Sequence, residues 1–204
     1  MNSFLTVSGI FLLAAISPGP DLIIVLRQSL LNGRWAGMMT SVGIFCGMLI
    51  HVAISLVGLG LIISKSVMAF TVLKFIGGAY LLYLAYKAFT SRGFDIAKEE
   101  QKMHMGQRTN PWLTGFMTNA LNPKAMLFVL SVFSIILSPN SSLMLKMVYG
   151  IWGAFIVMLW FGFVSMILSN NKVKQQFSRA SKWIDRIFGV ALTALGAKLL
   201  LTKI

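Results

Sequence analysis

The stretch ISPGPDLII, residues 16–24, decides how this chain is read. Two prolines, a glycine and an aspartate interrupt an apolar run that extends from Phe4 to Leu26. Proline removes a helical hydrogen bond, and a carboxylate is costly to place among apolar groups. A hydrophobic segment with both at one point calls for a reason to have both.

The composition around that stretch is that of a membrane protein. The 204-residue chain is 57% hydrophobic and 11% charged, against about 25% charged in a soluble domain. Uncharged runs from Trp35 to Ser64, Ala125 to Leu145 and Met147 to Asn171 each reach the ~20 residues that span a bilayer. The pattern predicts six spans, at 4–30, 37–63, 67–88, 112–137, 143–168 and 184–202. The first is expected to be retained, since no Lys or Arg precedes Arg27 and no A-x-A-like cleavage site follows. The chain is expected to form a single transmembrane domain over 1–204. Within it lie a first repeat at 1–90, a cytoplasmic loop at 91–111 and a second repeat at 112–204.

The net charge of +13 is distributed as an orientation signal. Of 18 basic residues, 12 flank the first, third and fifth connections, among them Arg27, Arg34, Lys87, Arg92, Lys182 and Arg186. By the positive-inside rule those connections are cytoplasmic and both termini periplasmic. Trp35, Trp112 and Trp183 fall on the same side, as interfacial anchors do. The basic loops therefore face a lipid bilayer, and no nucleic acid is expected as a partner. The linker TSRGFDIAKEEQKMHMGQRTNP, residues 90–111, is expected to be a solvated, mobile loop with His104 exposed. The lone Cys46 excludes an internal disulfide and reads as a small buried hydrophobe.

The two halves resemble each other. KFIGGAYLLYLAYKAF (74–89) can be laid over RIFGVALTALGAKLLL (186–201), and SPGPD (17–21) answers LNPKA (121–125). Three spans per half would give the halves opposite orientations, as in inverted-repeat transporters. At 1.5 Å per residue, Asp21 and Asn122 each lie roughly 14 Å from the cytoplasmic end of their spans, so the two breaks can meet near mid-membrane.

Each break also reads as a helix start. Ser17 before Pro18 and Asn122 before Pro123 place an N-cap residue directly ahead of proline. The second half of each broken helix then directs N–H groups and partial positive charge inward, which suits a carboxylate. Asp21 can hold an ammonium group, carry a proton, or do both in alternation. Lys124 can pair with Asp21 or receive an anionic group, and Gly19 lets a ligand approach the backbone. A purely structural kink, with Asp21 capping a helix and salt-bridged to Lys124, is the competing expectation. His51, near the middle of the second span, is either a proton relay or a hydrogen-bonded structural histidine. Gly43 and Gly47 suit close helix packing, within a subunit or in a homodimer. Tyr80, Tyr83 and Tyr86 read as a packing face.

With these residues in place the sequence resembles the LysE/RhtB superfamily of amino-acid exporters. The likeness rests on SPGPD (17–21), GIFCG (43–47), GGAYLLYLAYKA (77–88), TNALNPKA (118–125) and KWIDRIFGVALTALG (182–196). SVFS (131–134) and KWID (182–185) point toward the threonine and homoserine branch. The resemblance implies an all-α, LysE-type fold of six transmembrane helices in two inverted three-helix repeats, the first and fourth broken at their proline motifs. It also implies proton-driven efflux of a small neutral amino acid across the bacterial inner membrane; the residues at the breaks suggest a zwitterion site, and no cofactor or metal is expected. Basic or branched amino acids, or a metal or toxic ion, are the alternative cargoes. Carried over by motif, Ser17, Pro18, Gly19, Pro20, Asp21, Asn122, Pro123 and Lys124 are expected to bind substrate and protons. An enzyme is not expected, because no G-x-S-x-G or H-E-x-x-H motif occurs.

Overall fold

The computed structural model describes residues 2–65, 67–93, 95–96, 110–136, 142–167 and 171–201. His104 and most of the 91–111 loop lie outside these residues. The described residues form eight helices: α1 (Asn2–Ile16), α2 (Pro20–Asn32), α3 (Arg34–Lys65), α4 (Val67–Thr90), α5 (Pro111–Ala120), α6 (Pro123–Ile136), α7 (Leu143–Ile167) and α8 (Asn171–Leu201).

The two proline motifs break the apolar segments where the sequence placed them. The Phe4–Ile16 and Pro20–Asn32 helices meet at 64°, and the Pro111–Ala120 and Pro123–Phe133 helices at 59°. Each bent pair is apolar enough to be one broken span, and the Arg34–Gly58 part of α3 and all of α7 qualify as straight ones. At 1.5 Å per residue, those 25-residue stretches reach about 38 Å, enough for the ~30 Å core of a bilayer. Gly33, at φ 84°, makes the one-residue turn from α2 into α3.

The polarity of the molecule is that of a protein in lipid. Leu5, Ile54, Val57, Phe75, Ile76, Phe163 and Val190 lie exposed, while Gln28, Thr40, His51, Asn119, Asn122, Ser165 and Asp185 are buried. So much exposed apolar surface needs an apolar solvent. Trp35 and Trp183 are exposed, as anchors require.

Small residues bring the helices close. A Cβ on Gly43 would lie 2.1 Å from the Trp112 carbonyl oxygen, and one on Gly115 2.2 Å from that of Thr40. Gly47 meets Asn119 and Ala120 at 3.0 Å. The Gly43–Gly47 pair therefore packs α3 against α5 within one chain. Across this seam Thr40 Oγ1 donates to the Pro111 carbonyl at 3.1 Å. Gly78 and Gly196 seat α4 against α8 in the same way. Elsewhere the Phe11 ring fills the notch at Gly153 and meets Phe128 edge-on at 5.5 Å.

Two segments differ from expectation. α8 begins at Asn171, well before the span expected at 184, because nothing between them breaks a helix: the intervening residues include neither Gly nor Pro. The start of the polar loop is not solvated throughout. Ile96 is fully buried, its N–H donates to Ser178 Oγ at 3.1 Å, and Gly93 sits against Ser181 and Lys182 of α8.

Candidate translocation site

At the second break Asn122 closes the start of α6 as its sequence context requires. Its Oδ1 accepts the Lys124 N–H at 3.0 Å, and its carbonyl accepts the Met126 N–H at 3.1 Å. Its Nδ2 points the other way and donates to Asp21 Oδ2 at 3.4 Å. One side chain thus joins the two breaks.

The first break is built differently from the expected Ser17 cap. Gly19 is the N-cap of α2, extended at φ −172° and ψ −179°, and makes no side-chain cap bond. The cause is Pro20, which takes the first helical position and holds the preceding residue extended. Ser17 instead ends α1, its N–H bonding the Leu13 carbonyl at 3.1 Å, and its hydroxyl donates to Asp185 Oδ1 at 3.4 Å.

Asp21 sits in the first turn of α2, close to the crossing point of the two broken helices. Its Oδ2 accepts from Asn119 Nδ2 at 3.0 Å as well as from Asn122. Its Oδ1 is buried with no hydrogen-bond partner. An unpaired buried carboxylate oxygen is expensive, so this atom marks a place for a proton, water or ligand. No ion pair joins Asp21 to Lys124, so the expected capping salt bridge is not formed. The Lys124 ammonium donates to the Pro18 carbonyl at 3.4 Å and faces the Phe188 ring at 5.4 Å. That bond satisfies a carbonyl freed by the break.

His51 adjoins this cluster from α3. Its Nε2 donates to the Asn119 carbonyl at 2.8 Å, which fixes that nitrogen as protonated. Its Nδ1 is buried without a partner, as is Asn119 Oδ1. The structure therefore places His51 one residue away from Asp21, hydrogen-bonded through Asn119.

Two cavities of very different size adjoin the breaks. One, a space of about 40 Å³, is lined by Asp21, Phe11, Met48, Phe128 and Phe161. The other, of about 570 Å³, is lined by Lys87, Ser91, Asp185, Tyr80, Tyr83 and Phe188. Ser17, Gly19, Pro20, Asn122 and Lys124 line both. The smaller space has room for water beside Asp21. The larger one takes a small organic molecule together with its water.

Two polar contributors, Asn119 and Asp185, were missed in the sequence, and two tyrosines were read as packing alone. Asn119 was readable, since it lies three residues before Asn122 and helical spacing puts such residues on one side. Asp185 lies between Lys182 and Arg186 in the sequence, a setting that does not mark it, yet it is buried. Its Oδ2 accepts the Ser91 hydroxyl at 2.5 Å. Tyr80 and Tyr83 also proved to line the large cavity, whereas Tyr86 faces outward.

Gly19 sits where a side chain would meet the amine. A Cβ there would lie 3.2 Å from Lys124 Nζ, the far end of a flexible side chain. Gly19→Ala is therefore expected to fold with an unchanged melting temperature, because the lysine tip gives way. Its transport rate is expected to fall on the order of tenfold, since a displaced group in a fitted passage costs rate. Initial rates in vesicles at equal protein check this.

Apolar helices broken beside a cavity are an arrangement common among membrane transporters. The comparison with known families agrees: residues 12–203 match the LysE type translocator family, and the chain belongs to it. It is 30% identical to the threonine efflux protein of Salmonella typhimurium, covering 100% of both chains. The threonine efflux protein of Escherichia coli K12 is 29% identical over 98% of each chain. A homoserine/homoserine lactone efflux protein of Salmonella typhimurium is 29% identical over 63% of this chain and 61% of its own. No solved structure matches.

Proposed function

We propose that the protein exports small neutral amino acids, threonine and homoserine first, from a bacterial cytoplasm in exchange for protons. The observation that carries this reading is a buried carboxylate with an orphaned oxygen on a small space at the breaks, where a second cavity large enough for an amino acid shares five lining residues with it. The names of the similar efflux proteins support the cargo class.

In this reading there are six crossings in two inverted repeats, α1/α2–α3–α4 and α5/α6–α7–α8. The packing supports it, because α3 lies on α5 as α7 lies on α1, while α3 meets α7 and α4 meets α8. The charge pattern puts Lys87, Ser91 and the large cavity on the cytoplasmic side, so this conformation receives substrate from within. Asp21 carries the proton, with His51 and Asn119 holding it in a polar setting. Lys124 and the ends of α2 and α6 face the substrate carboxylate. When the repeats rock, protonation of Asp21 from outside and release of substrate occur in one cycle. Two lysines on the large cavity oppose a basic amino acid or a metal cation as cargo, since like charges repel across a low-dielectric space.

The test is accumulation of labelled threonine by inside-out vesicles under an imposed proton gradient. Accumulation that collapses when the gradient is dissipated is expected. Well-folded protein that accumulates no neutral amino acid would refute the reading.

A further inference from the structure

Among the described residues, the large cavity is lined by one acid, Asp185 of α8, and two cations, Lys87 and Lys124. Asp185 is 4% exposed and accepts only two hydroxyls, from Ser17 and Ser91; no lysine or arginine is paired with it among the described residues. A carboxylate offers about four acceptor positions, so it has capacity left. Structural acids this deep are ordinarily matched by a cation in contact. This one is held in place by neutral hydroxyls and turned to a cavity, with lysines placed apart from it.

The geometry points to Asp185 as the binding group for the ammonium of the transported amino acid, in the large cavity, leaving Asp21 to the proton. This rests on the exporter reading and deepens it by dividing two roles between two carboxylates. Size favours the division, since the space beside Asp21 is about 40 Å³ and the one beside Asp185 about 570 Å³. Charge agrees with it. A zwitterion presents an ammonium and a carboxylate side by side, and the cavity presents one carboxylate and two amines. The faces of Tyr80 and Tyr83 add a surface favourable to a cation, and Leu84 and Ala88 one favourable to a short apolar side chain. Specificity for neutral cargo follows, because among the described lining residues the single acid is matched by the ammonium and no second acid awaits a charged side chain.

Binding there also reaches the break. The Ser17 hydroxyl is held to Asp185 at 3.4 Å, a long bond that an arriving ammonium displaces easily. Ser17 is the residue that ends α1, so substrate arrival loosens one tie across the first break.

The test is exchange of labelled threonine in proteoliposomes without a proton gradient, with competition by threonine and by 2,3-dihydroxybutanoate, in which a hydroxyl replaces the ammonium. Wild type is expected to prefer threonine strongly. Asp185→Asn keeps the shape; its amide oxygen can accept one serine hydroxyl while its Nδ2 donates to the oxygen of the other, so it is expected to elute as folded protein. Its exchange affinity for threonine is expected to drop at least about tenfold, the effect of losing one charge-assisted bond. Its preference over the hydroxy acid is expected to shrink to within about threefold, and Asp185→Glu to restore part of it. A merely structural aspartate would alter rate or yield without moving that preference. Asp185→Asn with the wild-type preference intact overturns the inference and leaves the exporter reading standing. Wild type that exchanges no neutral amino acid overturns both.

Discussion

Asp21→Asn is expected to abolish proton-driven accumulation of substrate, by at least about a hundredfold, the scale of losing a positioned proton-transfer group. Measurable exchange in the absence of a gradient is expected to remain. The asparagine keeps the size of the side chain and an oxygen for the amides of Asn119 and Asn122, so the crossing of the broken helices is preserved. What it removes is the buried Oδ1 that can take a proton. Accumulation and exchange measured on the same vesicles separate the two effects. Loss of both would mean that Asp21 holds substrate rather than the proton. Loss of neither would remove it from the mechanism.

The second large effect is structural. Gly115→Ala is expected to destabilise the protein by about 3 kcal/mol, the upper part of the range for overpacking a well-filled interior. For a chain of this size that lowers the melting temperature by roughly 10 °C. Its Cβ would lie 2.2 Å from the Thr40 carbonyl oxygen, and backbone cannot swing aside as a lysine tip can. α5 must move away from α3 and carry Asn119 with it, which detaches the carbonyl that holds His51 and the amide that holds Asp21. Transport should therefore fall along with stability. Gly9→Ala is the control, because its Cβ would have no neighbour within 4 Å, and it should melt as wild type does. Equal melting of the two variants would show that the α3–α5 seam is looser than its geometry.

These contrasts also show what can be read along a chain and what cannot. The broken helices were legible because proline acts locally: it removes its own hydrogen bond and constrains its neighbour. Asn122 was legible for the same reason, since its cap is closed by Lys124 two residues on. Ser17 was misassigned because SPGP offers two prolines, either of which fits the first helical position. The choice of Pro20 left Gly19 as the cap and freed Ser17 for a tertiary contact. Asp185 was illegible because its partners are Ser17 and Ser91, 168 and 94 residues away. Read in sequence, an acid between Lys182 and Arg186 looks like a surface ion pair. Only the packing of α8 onto α4 turns it toward the cavity. The Gly43–Gly47 spacing announced a close contact but not its partner, which proved to be α5 of the same chain. The unequal cavities, on which the division of roles depends, are a property of all the helices together.

The most direct test of proton exchange is internal pH in proteoliposomes that contain the purified protein and a pH-sensitive dye, with an outward gradient of threonine and no initial pH difference. Threonine leaving the vesicles should draw protons inward and acidify the lumen, and Asp21→Asn should show no such change. Threonine efflux that leaves internal pH unchanged in wild type would contradict proton exchange.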